Sequence, residues 1–478
     1  MKNRAWKRTA LHAAVAGAIA SLACSATPAF ADLTGDLKAE IAAQKVQMEQ
    51  QRLRLEAMEK KLEELSVQQA ATAKQAADSA QQATAAAKSA KAAESVVVAK
   101  ADTSAGPHLV RTKEWEPGFT FAVTPEDTVT LYGLIDATIS DISNADAKGD
   151  HKRSYQTAWF SGNRWGITGR HGIFDNTAGV IFKLESEFDY QTGEEDTPGV
   201  LFNRDAWVGF QSESLGKLTF GRQNAIARDF TGIYGDPYTG ARVTLEEGGY
   251  TNVNNFKQLI FYAASATGTR YDRGLVWKKE WGPLVTGLGY QFGGIPGDFS
   301  NGSTQTVALG YNGPGDSFHL AGFYNQFKVN DLEHKAWSFG GNVQLGPIVR
   351  LNAGYYKYNS EQGNNVGNRK DHAWTVSSKF TPSGPWDFEL GYQVIHADNA
   401  GVNGAGNVLT PYADASGVHA TATGDKKTGY GSIFYHFDRR VEVYLVADSM
   451  KLTDGYHVAV TNGHDSQVEA GVGMRIRF

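Results

Sequence analysis

The segment that most constrains the fold is Gln467–Phe478, with the sequence QVEAGVGMRIRF, because apolar and polar residues alternate in it strictly. One face carries only apolar side chains, those of Val468, Ala470, Val472, Met474, Ile476 and Phe478. The other face carries Glu469, Gly471, Gly473, Arg475 and Arg477. An alternation of period two indicates a β-strand with one apolar and one wet face. In a transmembrane barrel such a strand seals the wall, and an aromatic residue at its end lies in the interfacial belt. The segment therefore predicts a membrane barrel.

Strand-like segments follow one another from Thr128 onwards without a helical period, and we count about 16 of them. The first, Thr128–Ile142, contains VTLYGLIDATI and again alternates apolar with polar residues. Tight turns, such as 282–283 and 346–347, alternate with long polar connections, such as 294–303 and 399–425. Short turns at one end and long loops at the other are typical of outer-membrane barrels, which have even strand numbers. A large soluble β-sandwich or propeller is the alternative, but it gives no reason for this asymmetry.

The N-terminal residues predict export from the cytoplasm. Residues 1–31 combine four early basic residues, an apolar stretch and the small-residue site Ala29-Phe30-Ala31, as secretory signals do. Cleavage there leaves 42 Lys and Arg against 51 Asp and Glu, a net charge of about −9, which argues against nucleic acid as a partner. The single cysteine, Cys24, lies within the signal, so the mature chain has no disulfide. Acylation of Cys24 in a lipoprotein signal is the alternative.

Residues 32–99 differ from the rest of the chain and predict a periplasmic α-helical coiled coil. Apolar residues recur every seven positions at Ile41, Met48, Leu55 and Leu62, which is a heptad seam. A disordered spacer rich in Ala and Gln is the alternative. Residues 100–127 contain three prolines and predict a linker, whose aromatic residues Trp115, Phe119 and Phe121 could dock against the barrel. The predicted fold is thus an all-β transmembrane barrel, residues 128–478, preceded by a helical segment.

Six short segments of the barrel region resemble the general porins of Gram-negative outer membranes. In chain order they read VTLYGLIDATI, NRWGITGR, LFNRDAWVGF, KLTFGRQ, GTRYDRG and GMRIRF. The resemblance covers residues 128–478 and does not extend to the helical segment. It implies a homotrimer of 16-stranded barrels in the outer membrane, each with a long loop folded inwards at mid-height. It also implies passive diffusion of small hydrophilic solutes, with acids on that loop facing arginines on the wall.

The sequence offers such a loop in residues 224–268, about 45 residues long, where most loops have fewer than 15. On the wall, Arg164 should point inwards because an arginine cannot face lipid at mid-depth. Arg204 resembles the family's second wall arginine, and Arg270 is the third candidate, with Arg273 as its alternative. Arg222 shares a face with Leu218 and Phe220, which suggests a subunit interface. The predicted constriction residues are Arg164, Arg204, Arg270 and Arg242 with Asp229, Asp236, Glu246 and Glu247.

No other chemistry stands out in the sequence. It contains no Walker A motif, no HExxH and no cysteine-based metal site, so we expect no cofactor, no metal and no enzyme activity. An outer-membrane hydrolase is the enzymatic alternative, but no Ser/His or Asp/His pair suggests one. A second alternative joins the pore to a cell-envelope tether, in which residues 33–99 bind peptidoglycan or only aid trimer assembly. The remaining expected partners are outer-membrane lipid and lipopolysaccharide. Arginines and acids occur together, so the sequence does not decide between anion and cation preference.

Overall fold

The computed structural model describes residues 108–109, 118–124, 126–238, 240–248, 264–409 and 417–478. All of them belong to one compact unit, Thr103–Phe478. The predicted signal, the predicted coiled coil and most of the predicted linker lie outside the described residues. No helix in the described part of the chain is both long and apolar enough to cross a membrane.

The structure confirms a closed antiparallel barrel of 16 strands. Its wall strands are β3 (Asp127–Ile142), β5 (Arg164–Ile173), β6 (Ala178–Glu187), β7 (Asp205–Ser212), β8 (Gly216–Asn224), β9 (Arg270–Trp281), β10 (Leu284–Gln291), β11 (Thr304–Asn312), β12 (Phe318–Val329), β13 (Leu332–Leu345), β14 (Val349–Ser360), β15 (Arg369–Phe380), β16 (Trp386–Val402), β17 (Ala420–His436), β18 (Val441–Thr453) and β19 (Ser466–Arg477). Each pairs with its sequence neighbour, and β19 closes the wall on β3 from Glu469 opposite Ile142 to Arg477 opposite Leu134.

Alternation along the strands decides which side chains face outwards. In β19 the apolar residues Val468, Val472 and Met474 are exposed on the outer surface, whereas Glu469 and Arg475 point inwards and are buried. The face predicted to be apolar is therefore the outer one. The contact between β19 and β3 continues past the end of β19, because Phe478 and Gly133 exchange two backbone hydrogen bonds of 2.8 and 3.0 Å.

Three short strands depart from the predicted organisation. β2 (Phe119–Ala122) lies in the predicted linker but pairs with Thr128–Leu131 of β3, and β1 (His108–Leu109) pairs with β2. β4 (Lys152–Thr157) lies in a predicted loop and pairs with the second half of β3. Both β3 edges are covered over only half their length by β5 and β19, so the short strands satisfy the remaining backbone groups.

The barrel is not of uniform height. Strands β5–β8 contain only 8–10 residues and end near the middle of β3, where Leu134 pairs with Arg164. The strands β12–β19 contain 12–17 residues. The connection after β8 therefore leaves the wall at mid-height, which places its residues at the level of the barrel interior.

Candidate solute pathway

The long connection between β8 and β9 lies inside the barrel. It begins with the helix α1 (Ile226–Gly235), in which Ile226, Phe230, Ile233 and Tyr234 share one apolar face. These four side chains are buried in a cluster that includes Val285 and other inward residues of the wall. The helix has no side-chain cap, and instead the Ile226 N–H donates to Tyr271 Oη at 3.3 Å. The wall thus supplies both the packing surface and the missing cap.

The wall under α1 is shaped to accept it. A Cβ on Gly354 would lie 2.3 Å from Tyr234 Cδ2, and a Cβ on Gly340 would lie 2.6 Å from the same ring. Both distances are far below van der Waals contact, so these positions have no room for a side chain. Tyr234 Oη also forms a 2.7 Å hydrogen bond with Ser338 Oγ. The loop helix is therefore seated in a groove of the wall formed by missing side chains.

Wall amides fix the rest of the loop. Asn342 Nδ2 donates to the carbonyl oxygens of Ile233 at 2.9 Å and Ala241 at 2.8 Å. Asn312 both accepts from the Val243 N–H and donates to its carbonyl, at 3.2 and 2.9 Å. These side chains satisfy loop backbone groups that would otherwise be buried without partners.

The predicted loop acids face lysines of the wall. Glu247 Oε2 lies 2.5 Å from Lys183 Nζ, and Glu246 Oε2 lies 2.7 Å from Lys217 Nζ. Asp229 Oδ2, on α1, lies 2.5 Å from Lys278 Nζ. Sequence reasoning missed these three lysines, which lie on β6, β8 and β9. The argument applied to Arg164 would have found Lys183, because a lysine at mid-depth must also face inwards. Lys217 and Lys278 pair near the short-turn ends of their strands, where that argument does not apply.

Burial and neighbouring charges both shift the pKa values of the charged side chains on the loop. Burial alone would raise the pKa of the Glu247 carboxyl, but the charge and hydrogen bond of Lys183 outweigh burial and hold this pKa at about 2. Burial raises the pKa of the Asp229 carboxyl despite Lys278. Burial, together with the positive charges of Arg270 and Arg204, lowers the pKa of the Arg228 guanidinium to about 9. Arg228 is thus buried close to two arginines of the wall, Arg204 and Arg270.

The three predicted wall arginines surround two carboxylates. Arg204 pairs with both Glu185 and Glu187, and Arg164 Nε lies 3.7 Å from Glu185. Glu187 also interacts electrostatically with Arg270. The Arg270 side chain is buried, and its Nε and Nη2 have no hydrogen-bond partner among the described residues. The structure therefore brings Arg164, Arg204 and Arg270 together at mid-height.

Two carboxylates here, Glu185 and Asp205, lie beneath their cations, whereas Glu187 is about as exposed as its partner Arg204. The Glu185 side chain is only 3 % exposed, whereas Arg164 is 24 % exposed. Asp205, 2.9 Å from Lys183, is likewise more deeply buried than that lysine. Water in the lumen therefore contacts Arg164 and Lys183 more than Glu185 and Asp205.

The other two predicted residues lie away from this cluster. Asp236 follows α1, and its Oδ1 accepts a 2.8 Å hydrogen bond from the Tyr238 N–H. Arg242 is exposed and lies 3.1 Å from Asp316, in the short turn between β11 and β12. Arg242 does share a cavity of 480 Å³ with Asp229 and Glu247. Asp236 therefore lies at the end of α1, and Arg242 lies towards the short-turn end of the barrel.

A second group of basic residues lies on the neighbouring part of the wall, where the loop reaches β19. The Tyr238 ring stacks on Phe160 at 4.8 Å, the Arg475 guanidinium lies 4.3 Å from the ring centre, and Arg477 Nη2 donates to Tyr238 Oη at 3.0 Å. A cavity of 370 Å³ here is lined by Tyr238, Arg164, Lys379, His436, Arg475 and Arg477, with Glu442 as its one lining acid. Sequence reasoning placed Arg475 and Arg477 on the inner face but gave them no part in the constriction.

Two cavities meet beside the constriction. A cavity of 570 Å³, lined by Lys183, Glu246 and Glu247 among others, shares Arg164 and Arg477 with the 370 Å³ cavity. A dissolved ion that moves between them passes these two arginines. In the described part of the chain, no cluster of three His, Cys, Asp or Glu side chains is placed to hold a metal ion.

Comparisons with known proteins agree with this architecture. The chain is 28% identical, over 76% of its length and 97% of the relative, to an outer membrane porin protein of Bordetella pertussis. It superposes on the anion-selective porin of Comamonas acidovorans with a TM-score of 0.56 at 18% identity, covering 74% of this chain and all of that one. OmpT of Vibrio cholerae in its trimer form gives a TM-score of 0.52 at 16% identity, covering 74% of this chain and 99% of that one. The Gram-negative porin family profile matches residues 76–455, and the chain therefore belongs to the Gram-negative porin family, whose members are channels of the outer membrane.

Proposed function

We propose that this porin is a passive diffusion channel that favours small, hydrophilic anions. The observation that supports the preference is the layering of charge at the constriction. Arg164 and Lys183 contact the lumen, and two carboxylates that balance them, Glu185 and Asp205, are buried behind them. A solute is attracted more strongly by the nearer charge, because Coulomb energy falls with distance and with the dielectric constant of the water between.

Two of the loop acids weaken this preference little, whereas Glu246, which is 70 % exposed, opposes it. Glu247 and Asp229 each lie 2.5 Å from a wall lysine, so each is locally neutralised. Arg164, whose side chain is 24 % exposed, is the wall arginine best able to contact a passing anion, whereas Arg270 is buried beside it. The constriction in this proposal is formed by Arg164, Arg204 and Arg270, while the loop acids hold the loop. The Comamonas relative is named as anion-selective, which agrees with the proposal.

We also infer that the working unit is a homotrimer. The low wall of β5–β8 exposes Val180, Val208 and Phe220 on its outer surface. Near its upper end Arg222, at a β-bulge, pairs with Asp272. An ion pair at this height is costly against lipid, and a neighbouring subunit would cover it. The Vibrio cholerae OmpT structure described as a trimer form has the same fold.

Reversal potentials in a potassium chloride gradient across a planar bilayer test the proposal. The wild type should be anion-selective, and a trimer with separate pathways should close in three equal steps. Arg164→Gln with Arg270→Gln should lower the anion-to-cation permeability ratio by about sevenfold per charge, because a charge at about 7 Å in water favours anions about threefold and disfavours cations about threefold. Arg439→Gln, in the exposed turn between β17 and β18, is the control. A cation-selective wild type, or a double variant with unchanged selectivity, contradicts the proposal.

A further inference from the structure

Arg477, at the end of β19, lies on the wall of the solute pathway in register with Arg164. Arg477 is opposite Leu134 of β3, and Leu134 is opposite Arg164 of β5. Residues directly opposite each other on paired strands share one face of the sheet, and all three residues line the lumen. Neighbouring strands are about 4.8 Å apart, so the backbones of the two arginines are separated by about 10 Å, with one leucine between them.

The same three residues form the passage between two cavities of the lumen, which we call the neck. Leu134, Arg164 and Arg477 line both the 570 Å³ and the 370 Å³ cavity, and no other described residue is common to the two linings. The neck thus has a cation on each side and an apolar side chain between them. An ion that crosses it is close to two guanidinium groups at once.

The layering of charge at Arg477 repeats that at Arg164. Arg477 Nη1 lies 3.4 Å from Glu442, and the two side chains are 24 % and 3 % exposed. Arg164 and Glu185 have the same two exposures. Each guanidinium therefore lies between water and the carboxylate that balances it, so a solute in the neck approaches the positive group more closely than the negative one.

Tyr238, on the constriction loop, holds the Arg477 side chain in this position. Its Oη accepts a 3.0 Å hydrogen bond from Arg477 Nη2, and its ring is fixed between Phe160 and the Arg475 guanidinium. Arg475 is itself buried and paired with Glu442, so it supports the ring without contacting solutes. In the described part of the chain, Arg477 has Tyr238 and Glu442 as its side-chain partners. Without the tyrosine oxygen, Glu442 would draw the guanidinium towards the wall.

We propose that Arg477 is a further residue that determines the preference of the channel for anions, and that Tyr238 is the residue that positions it. Arg164 and Arg477 act on an ion from two sides of the neck, so their Coulomb energies add and their effects on permeability multiply. The inference rests on the proposed function, because both concern selection by charge at the constriction. It goes further in making the last strand of the wall, and its contact with the loop, part of the selectivity filter.

Replacement of the charge through a single thiol tests the role of Arg477 within one folded barrel. Residues 32–478 contain no cysteine, so Arg477→Cys gives the exported chain one thiol. This variant should lower the anion-to-cation permeability ratio about sevenfold, the effect of one charge at about 7 Å in water. In the open channel, a thiosulfonate reagent with a quaternary ammonium should restore the ratio, and one with a sulfonate should lower it further. Ile476→Cys, on the outer face of the same strand, is the control and should respond to neither reagent. An unreactive thiol at position 477, or a ratio that ignores the charge of the label, overturns the proposal.

The positioning role of Tyr238 has a test of its own. Tyr238→Phe keeps the stacked ring and removes the acceptor oxygen, and should lower the permeability ratio about twofold with little change in conductance. In the Arg477→Cys background the same substitution should have no effect, because the tyrosine acts through the arginine. An effect that persists there overturns the positioning role.

The two proposals fail in different ways. A cation-selective wild type that still shows these shifts would contradict the proposed function and support this inference. An anion-selective wild type without them would overturn this inference alone.

Discussion

Two neighbouring carboxylates of the constriction loop allow a matched test at the level of single residues. Glu247 is 17 % exposed and contacts Lys183 and the Trp207 Nε1–H, whereas Glu246 is 70 % exposed. We expect Glu247→Gln to loosen the loop and to raise the anion-to-cation permeability ratio about two- to threefold, because Lys183 loses a close negative charge. Glu246→Gln should change the mobility of the loop and the permeability ratio much less, since water already screens the pair of Glu246 with Lys217. Single-channel noise and reversal potential are the measurements.

The pH dependence of the loop follows from the same residue. The pKa of Glu247 falls from 4.5 to about 2 on folding, so its contribution to stability is complete above pH 4.5 and is lost as pH falls towards 2. Open-channel noise should therefore stay constant from pH 7 to pH 5 and rise below pH 4. In Glu247→Gln the noise should be high at every pH. If the noise of Glu247→Gln depended on pH as that of the wild type does, a group other than Glu247 would be responsible for the pH dependence.

At the scale of single residues, the sequence predicts which side chains point inwards, because the membrane excludes charged groups from the outer face. Alternation and the exclusion of charge from lipid correctly predict that Arg164 and Arg475 point inwards. The same reasoning could not predict that Lys183, Lys217 and Lys278 take the loop acids as partners, because pairing depends on where the loop crosses the lumen. Spacing in a sequence carries no information about contacts 29 to 64 residues apart, as between Glu246 and Lys217 or Glu247 and Lys183.

At the scale of elements, the seat of α1 on the wall is the feature to test. Gly354→Ala should place a methyl group on the Tyr234 ring and lift the helix, at a cost of about 1–3 kcal/mol. We expect lower conductance, more noise and at least fivefold faster protease cleavage within the loop. Shortening the opposing side chain, in Gly354→Ala with Tyr234→Leu, should reverse much of the effect. Gly429→Ala is the control, since a Cβ at that position would lie 3.6 Å from its nearest neighbouring atom. An equal effect of this variant would contradict the close packing of Tyr234 on Gly354.

The elements themselves were largely predictable, and the exceptions have a physical cause. The predicted number of about 16 strands is confirmed, and the predicted first strand, Thr128–Ile142, matches β3 within one residue, because lipid on one side and water on the other impose period two. The sequence predicts linker where β2 lies, because a strand of only four residues between Gly118 and Pro125 shows too little alternation. Its pairing follows from the edge of β3 that β19 leaves uncovered. Such an edge is visible only once the barrel is closed.

At the scale of the whole molecule, the barrel depends on one seam that joins segments more than 300 residues apart. β19 and β3 form this seam, and their inward residues extend it into the lumen. Ser140 Oγ donates to Glu469 Oε1 at 2.7 Å, and Asp136 binds both Tyr444 and the loop N–H groups of Phe160 and Ser161. A closed wall has no free edge, so every strand relies on this one contact. The seam therefore couples barrel stability to the position of the residues that line the constriction.

Phe478 completes that seam, and its ring is a sharp test of closure. The ring covers Gly133, where a Cβ would lie 2.3 Å from Phe478 Cζ, so the aromatic side chain fills the space that glycine leaves. Phe478→Ala keeps the backbone bonds but loses this packing, and should lower barrel stability by about 1–3 kcal/mol. The temperature at which the folded band disappears on semi-native gels measures the effect. Phe437→Ala removes an equally interfacial but highly exposed ring from another turn and should shift that temperature little. Equal shifts in the two variants would mean that Phe478 acts only as a membrane anchor and not as part of the closing contact.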